Sequence, residues 1–97
     1  MIYLIDFGIS KIYKDKNNRH ISFKDNKPFI GTTRYAAIAA HEGFELGRKD
    51  DLESLTYVLI FFLKGSLPWQ NLKDVSDKEK TKAVGEIKIK TKTADLC

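Results

Sequence analysis

The sequence is poor in the residues that staple small proteins together. Its single cysteine is Cys97, so neither an intrachain disulfide framework nor a cysteine-built zinc site can form. A reducing, intracellular compartment, cytoplasm or nucleus, is the expectation that follows. Two prolines and six glycines in 97 residues leave no linker-like tract, and neither a repeat nor a low-complexity segment divides the chain. One domain at most fits this length. Long hydrophobic runs are absent too. The longest, residues 57–63, falls well short of the roughly 18 residues a membrane helix needs. No charged-then-apolar leader follows Met1, so no secretory signal is expected. Nor is there an excess of one charge. Seventeen Lys and Arg against 13 Asp and Glu give +4, which argues for solubility more than for a nucleic-acid partner.

What remains is globular composition, 42% hydrophobic and 31% charged, with a thin core expected at this size. Residues 1–6, Met-Ile-Tyr-Leu-Ile-Asp, have the β-branched and aromatic content of a short buried strand. Residues 13–28 are polar and basic. A loop of that length is usually functional or disordered.

The strongest helix signal covers residues 50–63. Leu52, Leu55, Leu59 and Phe62 recur at helical spacing, and Asp50, Asp51 and Glu53 gather at the start, where the helix dipole favours anions. Its second half is apolar nearly all round, as in a helix buried within a larger protein. Lys64 and Gly65 supply the stop. Ser76-Asp77-Lys78-Glu79 has capping-box spacing and opens a second helix to about Ile87. Residues 87–93 then alternate like a strand.

Asp6-Phe7-Gly8 stands where the first strand ends and the polar loop begins. The tripeptide alone is weak, since a given triple arises at roughly one position in several thousand. As chemistry it offers a carboxylate able to hold magnesium on a nucleotide's phosphates, a Phe packed behind it and a Gly that frees the backbone to turn. As bare structure it is an acid and a glycine making a turn.

Three further blocks supply the context: Gly31-Thr32-Thr33-Arg34-Tyr35, then Arg48-Lys49-Asp50-Asp51-Leu52-Glu53-Ser54-Leu55, then Ser66-Leu67-Pro68-Trp69-Gln70. In this order and spacing the sequence resembles the casein kinase I family of eukaryotic serine/threonine protein kinases. That family reads Asp-Phe-Gly, Gly-Thr-x-Arg-Tyr-Ala, Arg-(Arg/Lys)-Asp-Asp-x-Glu-Ser-Leu and Ser-Leu-Pro-Trp-Gln. The resemblance runs over essentially all of residues 1–97 and covers only the middle of a kinase catalytic domain. The Gly-rich loop, the ATP-positioning lysine and glutamate, and the catalytic loop with its aspartate would precede Met1. The last large-lobe helices would follow Cys97.

The resemblance implies an α+β fold for the whole kinase domain, with this chain a mostly α-helical piece of its large, C-terminal lobe preceded by a short strand. It implies ATP and magnesium as cofactors of the intact enzyme, with Asp6 as metal ligand and Phe7 and Gly8 setting its geometry. Residues 9–30 would form the activation segment. Thr32 would hydrogen-bond the catalytic loop, and Gly31, Thr33, Arg34 and Tyr35 would shape the floor under the substrate. Asp51 would support the catalytic loop's backbone from the start of the central helix. Arg34 and Lys80 fall where the family binds acidic or phosphorylated substrate residues, so the implied partners are protein substrates, acidic or phospho-primed, and the remainder of the kinase domain.

The sequence also departs from the family. Ala37-Ile38-Ala39 stands where casein kinases I have Ser-Ile-Asn, Thr56 replaces a Gly, and the stretch between Lys16 and His20 is about one residue short. A catalytically inactive relative or interaction fragment is therefore a second reading, and a small basic nucleic-acid-binding protein a third. His20 and His41 have no ligand partner at useful spacing. The lysines between Lys73 and Lys92 are interrupted by acids, as on a solvated helix face. Trp69 is expected to be a core anchor.

Overall fold

A computed structural model of the chain describes residues 1–70 and 77–96. Four helices order it: α1 (Ile38–His41), α2 (Arg48–Lys64), α3 (Asp77–Lys90) and α4 (Thr93–Leu96). Among the described residues no helix is long and apolar enough to cross a membrane.

The central helix α2 starts two residues earlier than the sequence suggests, because Asp50 acts backwards. Its carboxylate accepts the Gly47 N–H at 2.8 Å while its own N–H donates to Gly47 O at 3.1 Å. This satisfies backbone groups that a helix start leaves open and places negative charge at the positive end of the dipole. The helix ends as expected. Gly65 turns left-handed at φ 79° and its N–H returns to Phe61 O at 2.7 Å.

The core sits on one side of α2, where Tyr57 and Ile60 meet Leu67, Trp69 and Val84. Trp69, 1% exposed, stands edge-on to Tyr57 at 5.0 Å between centroids, a favoured aromatic geometry. The helix α1 has no side-chain cap of its own. Glu53 of α2 supplies one, accepting the Ile38 N–H at 3.4 Å and the Tyr57 hydroxyl at 2.6 Å. Against α1 lies α3, close enough at Gly85 that an added Cβ would stand 2.7 Å from His41 Cβ.

Two expectations are corrected. Residues 1–6 form no strand and are exposed throughout. A strand leaves every backbone N–H and C=O to a neighbour, and among the described residues the only β pairing is an isolated bridge, Lys14 to His20. Residues 87–93 do not form a strand either. The helix α3 continues through Ile87 and Lys88 to Lys90, and Thr91 closes it on Ile87 O. Its buried positions Val84, Gly85 and Lys88 share one helical face, and that packing outweighs the short alternation. The capping box expected at Ser76 lies outside the described residues, as does Cys97.

The stripe Leu52, Leu55, Leu59 and Phe62 is helical as expected but faces outward, with Phe62 73% exposed. Burial falls on Tyr57 and Ile60 instead.

Candidate functional site

The segment of residues 31–36 has little regular structure of its own, and three tertiary anchors shape it. Trp69 Nε1 donates to Arg34 O at 2.7 Å. Lys88 Nζ donates to Thr33 O at 2.8 Å and to Ala36 O. Tyr35 packs edge-on against Phe61 of α2 at 5.9 Å. One local bond, Ala36 N–H to Thr32 O at 3.1 Å, closes the turn. The segment is thus held through its carbonyls, which leaves the side chains of Thr32, Thr33 and Arg34 free to line a surface.

They line a cavity of about 270 Å³, together with Tyr35, Trp69, Gln70, Lys80 and Val84. Two cations from distant parts of the sequence, Arg34 and Lys80, therefore border one space. The Arg34 guanidinium lies 5.7 Å from the Phe61 ring centroid and 6.0 Å from that of Tyr35. These π faces favour a cation and limit its rotamers. The Gln70 side chain is itself fixed, accepting the Leu67 N–H at 3.1 Å. A forked guanidinium and an ammonium beside hydroxyls are the donor types suited to an anion.

The other implied residues are not gathered here. Asp6 is exposed with left-handed backbone at φ 60°, and its Oδ1 accepts the Gly8 N–H at 3.3 Å. Phe7 beside it is exposed, so it does not pack behind the carboxylate. Among the described residues no group of three or more His, Cys, Asp or Glu could hold a metal. Magnesium on a nucleotide takes most of its six oxygens from phosphates and water, with one or two carboxylates from the protein.

Asp51 is exposed at the start of α2, and the buried acid there is Asp50, 3% exposed. Asp51 borders a different cavity of about 420 Å³ with Ser10, Lys11, Tyr13 and Arg48. Its expected neighbour, a catalytic-loop backbone, has no counterpart among the described residues. Thr32 is exposed as well.

Sequence reasoning missed Lys88. It belongs to the lysine-rich stretch expected to be solvated, yet it is 3% exposed and sits at the centre of the fold. Its Nζ meets Thr33 O, Ala36 O and, at 2.9 Å, His41 Nε2, with the Tyr57 and Trp69 rings each 5.2 Å away. Burial pushes its pKa down to about 8, partly opposed by Glu53. His41 is not alone either. Its Nδ1 faces Thr81 O at 2.8 Å, so Nδ1 carries the proton and Nε2 accepts from Lys88. Burial and then the Lys88 charge lower its pKa, against the Thr81 and Glu53 contributions. The signal in the sequence was the helical spacing of Thr81, Val84, Gly85 and Lys88, a face of small and apolar residues that includes one lysine.

No protein-family model matches the chain.

Proposed function

We propose that this chain is part of a casein kinase I-like serine/threonine protein kinase, the part that carries the substrate platform. In this reading the cavity beside residues 32–35 receives an acidic or phosphorylated residue of a protein substrate. The observation that carries the reading is that one cavity is bordered by Thr33, Arg34, Tyr35 and Lys80, four of the five residues that the motif resemblance singles out for substrate; the fifth, Gly31, does not border it. The intact enzyme would move the γ-phosphoryl of ATP to a Ser or Thr hydroxyl, chiefly by positioning and electrostatic stabilisation. The nucleotide cradle and the catalytic aspartate would come from sequence preceding Met1, so the chain by itself should transfer no phosphate to casein.

Binding without catalysis is the second reading, and one observation favours it. Arg34 and Lys80 border one cavity, whereas Asp6 and Phe7 are exposed at the surface. A nucleic-acid surface finds no comparable support, because Lys88 is internal and breaks the basic face of α3.

Calorimetric titration with a phosphoserine peptide and its unphosphorylated twin tests the platform. The phosphopeptide should bind and the twin should not. Arg34→Ala with Lys80→Ala should abolish the difference, each lost charge-assisted contact costing about 1.5–3 kcal/mol at most. Equal binding of both peptides by the wild-type chain would remove the reading.

A further inference from the structure

Two charged side chains are buried among the described residues, Asp50 and Lys88. The burial of Asp50 is explained by the start of α2. Lys88 lies in the last turn of α3, where the dipole favours a cation, but that alone calls for no burial. Its three N–H donors meet three acceptors: Thr33 O, Ala36 O and His41 Nε2. An ammonium has three donors and no acceptor, so none is left for a ligand. Although Lys88 also borders a cavity with Glu53, Tyr57 and Thr91, its hydrogen bonds are already spent on the segment beside the cavity of Arg34 and Lys80.

We propose that Lys88 is a positioning residue for the anion cavity. Its ammonium draws the carbonyls of Thr33 and Ala36 to one point, so that the turn between them presents Arg34 and Tyr35 to the cavity. The role rests on the reading of that cavity as an anion site. Neutral side chains cannot fill it. A neutral amine has two N–H donors and a lone pair, so one of the three acceptors would face a lone pair. Methionine offers no donor at all.

The groups facing Lys88 are His41 from α1, held neutral as the Nδ1–H form, and Glu53 and Tyr57 from α2. From residues 33–36 it meets carbonyls only. With Lys88 lowered to about 8 by burial, deprotonation is within experimental reach and has two opposite effects. The folded state sheds a buried charge, so global stability rises from about pH 8 towards the ordinary lysine value. The clamp on residues 33–36 loses a donor, so local order there falls. A lysine that merely supported the core would move both the same way.

The test uses the full 97-residue chain, amide hydrogen exchange read by NMR, and titration with inorganic sulfate at constant ionic strength. In Lys88→Met the Ala36 amide, bonded to Thr32 O, should exchange about tenfold faster relative to the Ile60 amide, the scale of one lost hydrogen bond. Sulfate affinity should fall several-fold. In the wild type, raising the pH from 7 to 9, with base catalysis corrected, should cost Ala36 protection while Ile60 gains it. Wild-type protection and sulfate affinity in Lys88→Met overturn the role. Should that variant fail to fold, Ala36 and Ile60 moving together in the wild-type pH series overturn it equally. A wild-type chain that binds no sulfate overturns the anion reading and this role with it. Sulfate binding indifferent to Lys88 overturns the role alone.

Discussion

Residues 1–30 and the described residues from 31 to 96 are both supplied with large apolar side chains, yet among the described residues only the second region has a core. Ile2, Leu4, Ile5, Phe7 and Ile9 are all exposed, Leu4 at 85%. Tyr57, Ile60, Leu67, Trp69 and Val84 are buried against one another. Hydrophobicity does not separate the two regions; backbone satisfaction does. A helix closes its own N–H and C=O groups and needs only a surface for its apolar stripe. A strand must find a second strand first. The N-terminal apolar residues have strand chemistry and no ladder partner among the described residues, so they stay at the surface.

The contrast can be broken most severely at Trp69. Trp69→Ala removes the largest fully buried side chain among the described residues and the donor to Arg34 O, and should cost about 3–5 kcal/mol, enough to unfold a core this small. Chemical denaturation would measure it, and a loss under about 1 kcal/mol would show that the core lies elsewhere.

The pH dependence should come next in size. The folded pKa of Lys88 is depressed, so its contribution is present above the unfolded value of 10.5 and is lost as pH falls through about 8. Stability should therefore climb by on the order of 2 kcal/mol between pH 8 and 10. Tyr57, whose pKa burial and Glu53 raise, opposes this at higher pH, from its unfolded value of 10.0 upward. His41, lowered by burial, takes away stability as pH drops below 6.5 through its folded value. Thermal melts across this range should peak on the alkaline side. A peak below pH 7 contradicts the burial of a charged Lys88.

Gly85→Ala tests the α1–α3 contact. The new Cβ would overlap His41, and overpacking of this kind costs about 1–3 kcal/mol. A neutral result by denaturation would mean that the two helices can part freely. The smallest effect belongs to the N-terminal region. Leu4→Ser with Ile5→Ser should change stability by less than about 0.5 kcal/mol and should lower self-association in size-exclusion measurements, because both side chains are solvent-facing. A large destabilisation would place these residues in the core after all.

Legibility in the sequence follows the same division. The position of α2 and its Gly65 stop could be read, because both depend on neighbours within a few residues. The core role of Trp69 could also be read. Which face of α2 is buried could not. Leucines at helical spacing point outward here, since the side facing Leu67, Trp69 and Val84 is chosen by tertiary packing rather than by apolarity. Nor is the end of α3 legible, because Ile and Lys in alternation satisfy both periods over so short a run.

At the cavity, motif position alone points to Arg34, Lys80 and their neighbours, and one cavity brings them together. The burial of Lys88 is not legible in the sequence, because it depends on carbonyls from residues 33 and 36, and backbone acceptors leave no trace in a sequence of side chains.

The claim on which the functional account turns is that residues 32–35 and Lys80 form an anion site. The most direct measurement is a map of amide shifts during titration of the chain with a phosphoserine peptide. The account expects the changes to centre on Thr32, Thr33, Arg34, Tyr35, Gln70, Lys80 and Val84, the residues that border the cavity. Changes centred instead on Lys11, Lys27 and Arg48, the cations of the larger cavity, would contradict it.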